Sequence, residues 1–240
     1  GILHEAGHGL YELGMRSEWH GLPPGSYTSL GIHESQSRFW ENMVGRSEPF
    51  WNWCMPLAQQ HFPDSLAEAR ADDVYVAVNA VQPSLIRVEA DEVTYNLHII
   101  IRFELEQAMI SGDLLAADLP AAWNEKYQQY LGITPPNDAD GVMQDIHWSA
   151  GLIGYFATYS LGNLYAAQFL SAAEEQLGEV DLMISQGEFK SLQEWMTTHI
   201  HTHGQCYSAA ELVQRATGST LSHKPLVNYL RTKLQPIYDL

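Results

Sequence analysis

The pentapeptide His4-Glu5-Ala6-Gly7-His8 constrains this chain more than any other feature. Two histidines four residues apart share a face when the backbone is helical, where they lie ~40° apart in azimuth and ~6 Å apart along the axis. At that spacing two imidazoles can share one tetrahedral Zn²⁺. Glu5 projects beside them, where a carboxylate can take a proton from a water that the metal activates. A catalytic zinc needs a third protein ligand and an open position. The next loaded run is Gly31-Ile32-His33-Glu34-Ser35-Gln36. Glu34 lies far enough beyond His8 to return on a second helix and face the first, and His33 is its rival as ligand. His199, His201 and His203 alternate at spacing two, point in different directions on a helix, and read as surface or loop histidines.

Most of the remaining pattern is helical. A helix is expected over residues 1–15, then a loop through Pro23-Pro24-Gly25. Ser35 reads as the N-cap of a helix through Phe39, Trp40, Met43 and Val44. Pro49 opens a helix that Pro63 ends, and residues 65–82 read as further helix. Ser84–Asp91 reads as a short strand or turn. A long helix is expected from about Thr94 to Ile110, closed by Ser111-Gly112, and another from Asp118-Leu119-Pro120 to Gly132. The loop at 133–141 is short, without a composition shift beyond it, so residues 1–240 read as one portion. Helices follow at about 149–177, 188–202, 208–217 and 223–235, with Ser208 and Glu211 forming a capping-box signature. The fold class is therefore mainly α, with at most a small β element.

Composition narrows the partners. With 45% hydrophobic side chains in 240 residues, the chain can bury a substantial core. Lys plus Arg is 12 against 29 for Asp plus Glu, a formal net charge of −17, which argues against a nucleic-acid partner or an anionic membrane surface. No apolar run reaches the ~18 residues of a membrane span. Cys54 and Cys206 cannot form a disulfide framework, so the cytoplasm is the expected location. The metal motif opens at the fourth residue, and the chain is expected to be the C-terminal portion of a longer protein.

Several further segments carry a resemblance. His33-Glu34-Ser35-Gln36-Ser37-Arg38 leads into Trp40-Glu41-Asn42. Ile86-Arg87-Val88-Glu89-Ala90-Asp91 and Gly141-Val142-Met143-Gln144-Asp145-Ile146-His147-Trp148 follow. Gly154-Tyr155-Phe156-Ala157-Thr158-Tyr159 then leads into Leu161-Gly162-Asn163. Together with His4–His8, in this order, they resemble the carboxypeptidase Taq family of metallocarboxypeptidases. The resemblance implies a multi-helical zincin-like fold with a deep cleft, often a homodimer, and a divalent metal held by His4, His8 and Glu34. Zn²⁺ is the first choice, with Co²⁺ or Mn²⁺ compatible with such ligands. It implies Glu5 as the catalytic carboxylate, Arg87 and Tyr159 facing the substrate, and His147 as a site residue. It also implies an N-terminal portion before the metal helix.

The reaction so implied is hydrolysis of the last peptide bond of a peptide. A guanidinium such as Arg87 suits a free C-terminal carboxylate through bidentate pairing. The competing reading of Arg87 is an ion pair with Glu89 or Asp91. Tyr159 is expected to donate to the developing oxyanion, and His147 to hydrogen-bond the substrate. Arg38 and Arg102 read as structural, Arg38 pairing with Glu34 and Glu41 at spacings of four and three. The alternative function is a helical scaffold or dimerisation module that keeps the motif without catalysis.

Overall fold

The computed structural model describes residues 1–239. In chain order its helices are α1 (Ile2–Gly14), α2 (Leu30–Arg38), α3 (Glu48–His61), α4 (Pro63–Leu66), α5 (Ala71–Val78), α6 (Tyr95–Ser111), α7 (Leu119–Leu131), α8 (Ala157–Leu177), α9 (Val180–Ser185), α10 (Lys190–His199), α11 (Ala209–Thr217) and α12 (Lys224–Tyr238). A π-helical segment, Phe39–Val44, continues α2. No strand occurs among the described residues, and Arg87–Glu89 is a 3₁₀ turn, which resolves the strand-or-turn alternative for 84–91.

The described residues form two compact units, residues 1–79 with 161–239, and residues 80–160. In the first, a continuous core joins Tyr11, Ile32, Phe39, Trp40, Phe169, Leu192, Met196 and Leu212, all of them buried. In the second, Ile101 and Leu105 of α6 pack on Trp123, Tyr127 and Leu131 of α7. Beside them, Tyr95 and Ile99 pack with Phe156.

Local chemistry sets several element ends. Ser47 caps α3, its hydroxyl accepting from Phe50 N at 3.3 Å, with Pro49 in the first turn. Ser208 and Glu211 form the anticipated capping box on α11. α6 and α7 stop at left-handed Gly112 and Gly132.

Three expectations are corrected. Ser29, not Ser35, caps α2, accepting from Ile32 N at 3.2 Å; Ser35 lies inside the helix and donates to Ile32 O at 2.6 Å. The helix expected over 65–82 is split into α4 and α5. Gln59 Nε2 donates to both Leu66 O and Ala69 O at 3.1 Å and holds the chain in a turn between them. The helix expected from 149 starts at Ala157, because Gly151 and Gly154 take φ of 75° and 82°, incompatible with a right-handed helix. α9 has no counterpart in the sequence reading.

α1 lies directly against α2. Gly7 makes this approach: a Cβ there would fall 2.7 Å from Ser37 Cα and 2.8 Å from Gln36 C, both backbone atoms. Gly7→Ala improves helix propensity by up to ~1 kcal/mol but forces two backbones apart, so a net loss of about 1–2 kcal/mol is expected in urea denaturation. A variant as stable as the parent would remove Gly7 as the contact that sets the α1–α2 distance.

Candidate active site

α2 is polar yet buried. Glu34, Ser35, Gln36, Ser37 and Arg38 are all 9% exposed or less, each with a polar partner. Ser37 Oγ donates to Glu34 O at 2.7 Å, and the Gln36 amide oxygen pairs with His201 Nε2 at 2.9 Å. His201 is buried, and burial drives its pKa down to about 3, so it stays a neutral strut for α2. It was expected among surface or loop histidines. Its burial follows from that buried glutamine, which needs a partner.

The close packing of α1 on α2 brings together His4, His8 and Glu34, whose ligand atoms lie within 4.8 Å of one another. His4 Nε2 is 3.9 Å and His8 Nε2 3.6 Å from Glu34 Oε2. Each ligand is held from behind. Arg38 Nε donates to the other Glu34 oxygen, Oε1, at 2.7 Å. His4 Nδ1 meets Glu41 Oε2 at 2.8 Å, and His8 Nδ1 meets His33 Nδ1 at 2.6 Å. Gly162 of α8 lies against Glu34, where an added Cβ would sit 2.8 Å from Glu34 Cβ. Burial alone would raise the pKa of Glu41, but His4, Arg38 and Arg46 hold it at about 2. Burial and then His33 lower the pKa of His8.

Two imidazole nitrogens and a carboxylate oxygen, converging with their outer atoms engaged, fit a divalent cation. Glu5 lies on α1 between the two histidines in sequence and is exposed to solvent. His33 does not join the ligand group: its Nδ1 faces His8 and its Nε2 meets Glu12 Oε1 at 2.9 Å. Among the described residues His199, His201 and His203 form no such group.

The remaining predicted residues gather within the second unit. Arg87 donates from Nε and Nη2 to Asp145 Oδ1 at 3.1 and 2.7 Å, and from Nη1 to Tyr95 Oη at 2.9 Å. Its carboxylate partner is thus Asp145 rather than Glu89 or Asp91. The Arg87 guanidinium lies 4.8 Å from the Tyr159 ring centroid, and Tyr159 Oη is 2.9 Å from His147 Nε2. Arg102, fully buried, donates to Asp145 Oδ2 at 2.6 Å and to Gln144 Oε1 at 2.8 Å. Burial opposes ionisation of Asp145, yet the two arginines outweigh it and hold its pKa below the usual value. Burial lowers the pKa of His147 by more than Asp145 raises it. Glu106 accepts from Trp148 Nε1 and Gly154 N, both at 2.8 Å, and so braces the loop that carries His147.

Sequence reasoning gave no site role to Glu41, Glu12, Glu106 or Gln144. Glu12 had a signal, since it continues the His4, His8 row by four residues. Glu41 showed locally only its pairing with Arg38, and its contact with His4, like those of Glu106 with Trp148 and of Gln144 with Arg87 and Arg102, spans a long sequence separation.

A helical chain with a His-Glu-x-x-His helix packed on a second, carboxylate-bearing helix has the features of a metallopeptidase. The sequence profile of the carboxypeptidase Taq (M32) metallopeptidases matches residues 1–234, and the chain belongs to that family. It is 52% identical over 238 residues to thermostable carboxypeptidase 1 of Thermus thermophilus, covering 99% of this chain and 46% of that protein. It is 43% identical to carboxypeptidase 1 of Bacillus subtilis, covering 100% of this chain and 48% of the relative. The solved M32 carboxypeptidase of Deinococcus radiodurans superposes with a TM-score of 0.97 at 45% identity, covering 99% of this chain and 48% of that one. The chain therefore spans about half the length of the curated relatives it matches.

Proposed function

We propose that this chain carries the metal centre and substrate-facing residues of a metal-dependent carboxypeptidase that releases C-terminal residues from peptides. The observation that carries the reading is the convergence of His4 Nε2, His8 Nε2 and Glu34 Oε2, each with its outer atom engaged by another side chain. When bound there, a divalent metal supplies Lewis acidity, polarising the scissile carbonyl and lowering the pKa of water toward ~7. Glu5 accepts the proton of the attacking water and passes it to the leaving amine. The guanidinium of Arg87 pairs with the free C-terminal carboxylate of the peptide. The Tyr159 hydroxyl donates to the oxyanion, and His147, within hydrogen-bond reach of that hydroxyl, orients it or contacts the peptide itself.

Residues 1–240 are read as one catalytic portion. Zinc is the preferred ion because the donors are two imidazoles and one carboxylate. A cytoplasmic location agrees with two free cysteines, Cys54 and Cys206. A homodimer rests on the family resemblance, and sedimentation analysis tests it. No described helix is long and apolar enough to cross a membrane.

A protein containing this chain is expected to release C-terminal amino acids from a free peptide, to stop on chelation, and to resume when Zn²⁺ is returned. The same peptide with an amidated C-terminus is expected to resist. Undiminished release with chelator present, or equal cleavage of the amidated peptide, refutes the carboxypeptidase reading.

A further inference from the structure

α1 presents His4, His8 and Glu12 in a single row, one turn apart. α2 sets Glu34 beside both histidines and inserts the His33 ring where it meets both His8 and Glu12. His33 is boxed by rings. Its centroid lies 4.6 Å from that of His8, 5.3 Å from Tyr11 and 5.0 Å from Tyr27. Its side chain is 18% exposed, whereas that of Glu12 is 53% exposed.

The contacts have one self-consistent polarity when a metal occupies the centre. A neutral imidazole has one nitrogen donor and one acceptor. If His8 Nε2 keeps its lone pair for the metal, its proton is on Nδ1. That proton is donated to His33 Nδ1, which must then be the acceptor. The proton of His33 therefore sits on Nε2, and it faces Glu12, whose carboxylate oxygens only accept. We infer that His33 and Glu12 form a hydrogen-bonded relay that fixes the tautomer and ring orientation of His8 and strengthens it as a metal ligand. Both are positioning residues: neither belongs to the group of ligand atoms. His4 is served differently, by direct contact with the partly buried Glu41 carboxylate. The two ligand histidines are thus anchored by unlike devices, one meeting a partly buried carboxylate directly, the other passing through a second imidazole to an exposed carboxylate.

The relay rests on the metal centre proposed above, and the test separates the two. Zn²⁺ affinity of the chain is measured by competition with a chelator. Absence of stoichiometric Zn²⁺ binding by the parent chain overturns the centre, and the relay with it. Given binding, His33→Phe is expected to weaken Zn²⁺ by about 10–100-fold, and Glu12→Gln, one bond further out, by about 3–10-fold. His33→Asn is expected to bind more tightly than His33→Phe, because its amide oxygen can still accept from His8 Nδ1. A packing role for His33 predicts the reverse order, since Phe keeps a ring between Tyr11 and Tyr27 and Asn does not. In the Zn²⁺-loaded parent, imidazole ¹⁵N spectra are expected to show His33 protonated at Nε2 and bare at Nδ1. Binding by His33→Phe equal to the parent, Phe outperforming Asn, Glu12→Gln without effect, or a proton on His33 Nδ1 each overturns the relay while leaving the centre intact. Glu12 is exposed, so its variant keeps the test open even where a His33 variant fails to fold.

Discussion

In an active protein that contains this chain, Glu5→Gln lowers kcat by about 10²–10⁴-fold while metal content and KM stay close to the parent values. Glutamine keeps the shape and length of the side chain but lacks a basic oxygen, so the water proton has no acceptor and the leaving amine no donor. Glu5 is exposed and does not belong to the ligand group, so the metal is expected to remain. Metal analysis beside steady-state kinetics makes the distinction. Full turnover in the metal-loaded variant would falsify the role of Glu5. Loss of metal in parallel with activity would instead make Glu5 a determinant of the centre itself.

The largest stability effect is expected at Asp145. Its two oxygens serve Arg87 and Arg102, and the three side chains are all nearly buried. Asp145→Ala leaves two guanidinium groups without their carboxylate in a poorly solvated site, which costs about 3–5 kcal/mol. Adding Arg102→Met is expected to recover part of that loss, because removing a buried charge is cheaper than leaving it unpaired. Urea denaturation of the parent, single and double variants measures both. A loss below ~1 kcal/mol, or no recovery in the double variant, overturns the account.

The pH dependence follows in sign. The folded-state pKa of Asp145 is depressed below its ordinary value of 3.8, so the unfolded chain binds this proton first. Its stabilisation is complete above that value and is lost as pH falls through the folded pKa. The gap between parent and Asp145→Ala should therefore narrow in strong acid, and a constant gap contradicts the assignment. His98 acts over a higher window. Burial, with Arg102 and Arg87, lowers its pKa from 6.5 to about 3, so its contribution declines as pH falls between those values.

Much of this site was legible because its residues are close in sequence. His4 and His8 share a helical face, and Arg38 meets Glu34 and Glu41 at spacings of four and three. These relations follow from the helical repeat alone. The polar run Glu34–Arg38 misleads a periodicity argument, since five consecutive polar side chains read as an exposed face. They are buried because each finds a polar partner, and one of those partners, His201, comes from the other end of the chain. The same limit applies to Arg87. Nearby Glu89 and Asp91 are the partners a local reading offers, whereas Asp145 lies beyond α6 and α7 in the chain and is shared with a further arginine. The division into two units was not legible either. The loop at 133–141, with the strongest turn composition, lies inside one unit, and a boundary falls within α8.

By itself, then, the sequence determined the helical class, the family, and the candidates for metal ligation, His4, His8 and Glu34, because helix spacing and motif order are local or linear properties. Tertiary structure decided how those side chains are aimed. The backbone approach at Gly7 sets α1 against α2 and brings Glu34 to the two imidazoles. Glu41 and the His33–Glu12 pair then take the outer nitrogens. Those contacts depend on packing between distant segments, which no spacing along one helix encodes.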